Sequence, residues 1–163
     1  MKMKSLCIFI VFLLYSHVPN TGNIAILSQN TEFNAKIEEF SPEALKTYII
    51  KKKLLHPDIV YAQAVWETGN FTSNVFKENN NLFGMKHVSK NGKRKTTSIG
   101  RNRKHAVYEN WKKSVDDYVL WQEMFKKTPI KTEKEYYKML GRIYATDPNY
   151  VKNIKQLINH ENI

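Results

Sequence analysis

The sequence predicts a mostly helical α+β domain with one small β-hairpin. Three observations support this fold class: capping residues that mark helix starts, apolar residues repeated at helical spacing, and an Asn-Gly pair between two short strand-like segments. The chain has 163 residues, of which 42% are hydrophobic and 12% are aromatic, which is enough for the core of one domain.

The first 20 residues have the pattern of a signal peptide. Lys2 and Lys4 precede an apolar segment, residues 6–15, that is too short to span a bilayer as a mature helix. The cysteine Cys7 lies within this segment and is the only one in the sequence, so the mature protein is expected to contain no thiol and no disulfide. An uncleaved anchor is the alternative, because no small-x-small cleavage site is visible.

The rest of the chain is predicted to be a leader and one domain. Residues 21–40 contain many small polar side chains and are expected to be a flexible leader, and residues 41–163 are expected to be a single domain without internal repeats. We expect an exported monomer in the periplasm, the cell envelope or the extracellular space. Its membrane contact would be transient, through the signal peptide.

Proline marks the start of two helices. Ser41 is the cap of a helix that begins at Pro42 and extends to about Lys52. The motif His56-Pro57-Asp58 begins a second helix. Gly69 is expected to end this second helix, because glycine readily adopts the left-handed conformation.

Glu67 lies in the last turn of the second helix. The residues three, four and seven positions earlier are Ala64, Gln63 and Val60, so Glu67 shares a face with two apolar residues and one amide. This face should point inward, and burial would raise the pKa of the carboxyl and keep it protonated near neutral pH, as a general acid requires. The alternative is a structural carboxylate, either solvated or paired with a lysine.

A basic lobe is predicted between Lys86 and His105. Lys86–Ser89 and Arg94–Ile99 are expected to be strands joined at Asn91-Gly92, the favoured pair for a two-residue turn. The lobe contains eight basic residues and no Asp or Glu, within a chain of net charge +11. Its field should attract an anionic polymer, and the alternative is a solvated lysine-rich hairpin.

Three further helices are predicted after the lobe. Apolar residues recur at helical spacing across residues 111–125. Thr132 and Glu135 form a capping box for a helix through Tyr144. Asp147-Pro148 is the start signal of the last helix.

Four stretches of the sequence resemble one known family. They are Ala62–Gly69, Asn80–Lys86, Ala106–Tyr118 and Tyr144–Tyr150. Together, and in this order, they resemble the bacterial glucosaminidases of glycoside hydrolase family 73, which are peptidoglycan hydrolases with a lysozyme-like fold. The resemblance extends over residues 41–158, essentially the whole predicted domain.

The resemblance implies an enzyme that cleaves β-1,4 glycosidic bonds of the peptidoglycan glycan strand, of the endo-β-N-acetylglucosaminidase type, with Glu67 as general acid. We expect no cofactor, no metal and no nucleic-acid partner. A glycan groove needs amides and aromatic hydroxyls, and Gly84 would let the backbone approach a ligand closely. The candidate substrate-binding residues are Gln63, Asn80, Asn81, Tyr108 and Tyr144.

One departure from the family concerns the second carboxylate. Many members carry a second glutamate in the β-lobe, where residues 93–100 of this chain have no acid, although glycoside hydrolysis normally pairs two carboxyls. Three options remain: a distant acid, the 2-acetamido group of the substrate as nucleophile, or a lytic transglycosylase reaction with one glutamate. A catalytically weak wall-binding protein is the alternative function. The candidate distant acids are Glu109, Asp116, Asp117 and Asp147.

Overall fold

Six α-helices and one two-stranded sheet form the described part of the chain, which confirms the predicted α+β, mostly helical fold class. The computed structural model describes residues 39–89, 92–125 and 130–161, so the predicted signal peptide and nearly all of the predicted leader lie outside the described residues. Within these ranges, no helix is both long and apolar enough to cross a membrane. The elements are α1 (Pro42–Lys51), α2 (Pro57–Thr68), α3 (Asn74–Asn79), β1 (Gly100–Asn102), β2 (His105–Val107), α4 (Trp111–Glu123), α5 (Glu133–Met139) and α6 (Tyr150–Glu161).

Local capping bonds place two helix starts where the sequence predicts them. The Ser41 hydroxyl accepts a hydrogen bond from the Ala44 amide at 3.1 Å at the start of α1. Thr132 and Glu135 form the predicted capping box of α5. Each bond satisfies an amide that the first turn of a helix leaves without a partner.

Helix α2 is the most buried helix of the domain. It packs against α1 and α6, and all residues from Ile59 to Val65 are buried, as expected for a helix that is apolar on nearly every side. Gly69 ends the helix with a φ of 55°, as predicted, and its amide donates to the Trp66 and Val65 carbonyls. The position of the last turn, which carries Glu67, is therefore fixed at the edge of the core.

The predicted position of the hairpin is wrong. Residues 86–89 and 94–99 form no strand, and the expected turn residue Asn91 lies outside the described residues. The strands are β1 and β2, which follow this segment and pair antiparallel. Their two-residue turn, Arg103-Lys104, has φ angles of 47° and 69°, a conformation that Asn-Gly normally supplies.

Residues 94–97 pair with no strand and are held in place by hydrogen bonds to α4. Arg94 forms an ion pair with the fully buried carboxylate of Asp117, at 2.9 Å from Nη1 to Oδ1 and 3.0 Å from Nη2 to Oδ2. The same carboxylate accepts the Thr97 amide at 3.1 Å, and the Thr97 hydroxyl donates to the Lys113 carbonyl at 2.6 Å. These bonds satisfy polar groups that a β-ladder would otherwise have paired.

A π-helical turn, Leu140–Tyr144, continues α5 to the residue at which the sequence predicts its end. Such turns are rare and often lie beside functional sites. The following residues connect to α6, which begins at Tyr150 and not directly after Asp147-Pro148. The Tyr150 amide donates to the Asp147 carbonyl at 3.1 Å, so this connection is held at the start of α6.

Candidate active site

A cleft of about 630 Å³ opens at the C-terminal end of α2. Its walls are the last turn of α2, residues 83–88, the indole of Trp121 on α4, and residues 143–147 together with Tyr150. Arg94 reaches the cleft from the segment fixed to α4. Five separate parts of the chain therefore line the cleft that contains the Glu67 carboxyl.

Gly84 lies directly against the Glu67 carboxyl. Its φ is 60°, and a Cβ atom at this position would lie 2.8 Å from Glu67 Oε2. A side chain here would both strain the backbone and collide with the carboxyl. Gly84 therefore brings the 83–88 loop into contact with Glu67.

The pKa of Glu67 is raised above its ordinary value, because burial disfavours the ionised carboxylate. A hydrogen bond from the Tyr150 hydroxyl and the positive charge of Lys86 act in the opposite direction and lower this pKa. The direction agrees with the sequence prediction. Glu67 is therefore a cleft carboxyl whose protonated form is favoured by burial.

Buried tyrosines and glutamines extend from Glu67 into the core. Tyr150, which is hydrogen-bonded to Glu67, also accepts a bond from Gln63 Nε2 at 3.1 Å. The Tyr118 hydroxyl donates to Gln63 Oε1 at 2.7 Å and lies 2.9 Å from the Tyr136 hydroxyl. Gln63, a predicted substrate-binding residue, is therefore fully buried beneath the cleft, and both ends of its amide bind tyrosines.

The two predicted asparagines hold the loop between α3 and the cleft. Asn81 is buried, and its side-chain amide donates to the carbonyls of Met85 and Ala106, each at 2.9 Å. Its carbonyl oxygen accepts the amides of Phe83 at 3.3 Å and Met85 at 3.1 Å. Asn80 ends α3 with a φ of 52°. Its amide donates to the carbonyl of Tyr108 at 3.0 Å.

The two predicted tyrosines occupy different environments. Tyr108 is buried outside the cleft lining, and its hydroxyl donates to Asp117 Oδ2 at 2.7 Å. Tyr144 lines the cleft, and its hydroxyl donates to the Phe83 carbonyl at 2.5 Å. Burial raises the pKa of both hydroxyls, so both remain protonated donors. Of the five predicted substrate-binding residues, Tyr144 is the one that the cleft lining includes.

Three of the four candidate second acids lie outside the cleft lining. Asp116 forms an ion pair with Lys52 at 2.6 Å, and Asp117 is engaged by Arg94. Glu109 is exposed and does not line the cleft. Asp147 does line it, and is the one carboxylate besides Glu67 among the described lining residues.

Among the cleft residues that sequence reasoning missed are Trp66, Trp121 and Tyr150. Trp66 directly precedes Glu67, and Tyr150 closes the last family motif, so both positions carried a signal. Lys86, at the end of the second motif, lies in the cleft with its Nζ 3.1 Å from His105 Nε2. In the described residues, no group of three His, Cys, Asp or Glu side chains could hold a metal ion.

Two comparisons identify relatives of the chain. Residues 44–163 match the glucosaminidase family, described as mannosyl-glycoprotein endo-beta-N-acetylglucosaminidase. The catalytic domain of the autolysin Auto from Listeria monocytogenes is similar in structure, with a TM-score of 0.53 and 27% sequence identity over 83% of this chain and 94% of that domain. No curated protein sequence matches the chain. Because the family match covers most of its length, the chain belongs to the glucosaminidase family and is a glycoside hydrolase.

Proposed function

We propose that this glycoside hydrolase cleaves the β-1,4 bonds of peptidoglycan glycan strands, with Glu67 as the general acid. The observation that carries the proposal is the half-buried Glu67 carboxyl, which lies against Gly84 in the cleft and has a raised pKa. Such a carboxyl can donate its proton to the oxygen of the leaving sugar. The similar Listeria domain is named as that of an autolysin, which supports a substrate in the cell wall.

Charge around the cleft supports an anionic polymer as substrate. The exposed Lys86 is in its lining, and the exposed Lys93 and Lys95 lie on either side of Arg94, whose own charge is paired with Asp117. Peptidoglycan carries carboxylates on its peptides, so a positive field at the cleft would raise its local concentration. A wall substrate requires export, for which the predicted signal peptide would be the route.

Participation of the substrate's 2-acetamido group is the mechanism that we favour. The acetamido oxygen would attack C1 of its own sugar while Glu67 protonates the leaving oxygen and the C1–O bond breaks. Water would then attack C1, the C1–O bond to the acetamido oxygen would break, and the Glu67 carboxylate would take the water's proton. This route retains the anomeric configuration and needs no second carboxylate.

Two other mechanisms are alternatives that product analysis can distinguish. Asp147 is the other carboxylate of the cleft lining. If Asp147 activated a water molecule, the product would have inverted configuration, and the two carboxyls would need to be roughly 6.5 to 9.5 Å apart to leave room for that water. A lytic transglycosylase reaction would leave an anhydromuramic end. Proton NMR of the freshly released reducing ends, with mass spectrometry of the fragments, separates the three outcomes.

The assignment of Glu67 is tested by Glu67→Gln in a gel that contains purified cell wall. We expect clearing to fall by roughly a hundredfold to ten-thousandfold, the usual loss for a general acid. Glu43→Gln removes an exposed carboxyl outside the cleft lining and is the matched control. Near wild-type clearing by folded Glu67→Gln protein would refute the assignment. Binding of wall without clearing by the wild-type protein would favour the wall-binding alternative.

A further inference from the structure

We propose that Trp66 is a stacking platform for a sugar ring of the glycan strand. It would bind the apolar face of one hexosamine at the edge of the cleft, next to the bond that Glu67 cleaves. This inference rests on the proposed function, since it assumes a glycan substrate. Trp66 is not among the five substrate-binding residues that the sequence predicts.

The first observation is the exposure of Trp66 within a buried helix. From Ile59 to Thr68, all residues of α2 are buried except Trp66 and Glu67. Trp66 is 43% exposed. Beyond its first turn, the helix is therefore open to solvent at Trp66 and Glu67, where the cleft begins, and an indole lies there next to the carboxyl.

The second observation is that the Trp66 ring is not committed to the core. Trp121 packs in ring contacts with Tyr118, Phe125 and Tyr144 at centroid distances of 5.1 to 5.2 Å. Trp111 packs against Phe40 at 5.7 Å. Trp66 takes part in none of the aromatic ring contacts of the described residues, so no other aromatic ring covers its exposed part.

The third observation is the position of Trp66 between two depressions. Besides lining the cleft, Trp66 lines a neighbouring depression of about 250 Å³ with Gly69, Asn70 and Leu157. The cleft also shares His87 and Arg94 with a third depression of about 530 Å³. The cleft with Glu67 is thus the middle member of three adjoining depressions, as a site that binds a polymer on both sides of the cleaved bond would be.

Sugar chemistry explains why an indole suits this position. One face of a hexosamine ring presents C–H groups, and an aromatic ring offers a flat apolar surface at a small cost in side-chain entropy. A strand that passes from the cleft into the neighbouring depression would cross Trp66. The contribution of Trp66 should therefore grow with strand length, because short fragments can bind within the cleft alone.

The test measures binding and turnover of purified glycan strands from which the peptides have been removed, sorted by length. In Glu67→Gln protein, added Trp66→Ala should weaken binding of long strands by roughly tenfold, the scale of one aromatic stacking contact. With active enzyme, Trp66→Ala should raise KM for long strands while kcat changes little. Trp66→Phe, which keeps a ring, should restore most of the affinity and guards against a folding defect in Trp66→Ala.

Leu55→Ala is the matched control, because Leu55 is 42% exposed and lies outside the cleft lining. Leu55→Ala should leave both the affinity for long strands and KM unchanged. Equal affinity of Trp66→Ala and the parent for every strand length would overturn the platform, even if wild-type enzyme clears the wall normally. Failure of the proposed function would instead appear as undiminished clearing by Glu67→Gln, so the two failures are distinguishable.

Discussion

Burial and two neighbouring residues have opposing effects on the pKa of Glu67. Burial raises its pKa, whereas the Tyr150 hydroxyl and the charge of Lys86 lower it. The pKa of Glu67 is higher in the folded protein than in the unfolded chain. The protonated carboxyl therefore favours the folded state at low pH, and this contribution to stability is lost as the pH rises from the unfolded pKa through the folded pKa. The role of general acid that we propose for Glu67 needs the protonated carboxyl, so Glu67 should determine the alkaline limb of the pH–activity profile.

We predict that Lys86→Met moves this alkaline limb to higher pH. Lys86 lowers the pKa of Glu67, so its removal should raise that pKa and keep the acid protonated over a wider range. The measurement is kcat/KM against pH with soluble glycan fragments. Lys134→Met, an exposed charge outside the cleft, should leave the limb in place. A limb that moves to lower pH after Lys86→Met would contradict this account.

The face of α2 that carries Glu67 was predictable, because helical spacing alone relates Glu67 to Ala64 and Gln63. The partners of Glu67 were not. Tyr150 and Lys86 reach it from other elements, and no local pattern encodes such contacts. The same limit explains Asn80 and Asn81. They are predicted as amide donors and acceptors for a glycan, which stays a prediction, and in the structure their side chains donate to the backbone carbonyls of Met85, Ala106 and Tyr108.

At the scale of elements, helix ends followed their local signals and the hairpin did not. Ser41, Gly69 and Thr132 each act within a few residues, so the sequence predicts their effect. The turn between β1 and β2 has positive φ at Arg103 and Lys104, neither of which is typical of such a turn. Strand pairing therefore forms there despite the local sequence preference.

We predict that Lys104→Gly increases the free energy of unfolding by up to about 1 kcal/mol. The φ of 69° at this position is unfavourable for a residue with a Cβ atom and favourable for glycine. Thermal or urea unfolding of the folded domain would measure the change. Lys95→Gly is the matched control, because Lys95 does not have a positive φ. It should lower stability, and a loss of stability in both variants would show that the turn is not strained.

Over the whole molecule, the basic excess is less available than the sequence suggests. The chain has 26 basic against 15 acidic residues, and the predicted lobe contains no acid of its own. Arg94 is nevertheless paired with Asp117 from α4. Arg94 fixes the segment to the helix, so within the segment the charge that a wall polymer could use lies on its exposed neighbours Lys93 and Lys95.

We predict that the double variant Lys93→Gln, Lys95→Gln binds intact wall more weakly than wild type, and that the difference shrinks as salt is added. Attraction of this kind is screened over about 10 Å at 0.1 M salt. Sedimentation with purified wall at several salt concentrations gives the binding. Turnover of short uncharged fragments should change little.

The control for this prediction removes the same charge elsewhere. Lys134→Gln with Lys152→Gln removes two exposed charges on α5 and α6, outside the cleft lining. Wall binding should then fall much less. An equal loss in both double variants would mean that net charge, and not the lobe, governs wall binding.

The buried bonds beneath Glu67 link activity to the completion of folding. Tyr150 and Gln63 are 87 residues apart in sequence, and Gln63 and Tyr118 are 55 apart. These contacts can form only after α4 and α6 have docked on α2, since contacts between distant residues close large loops. A chain that is still partly unfolded therefore has no correctly oriented acid. Hydrolase activity should therefore appear only with the completed fold, so the order of folding itself times the onset of activity.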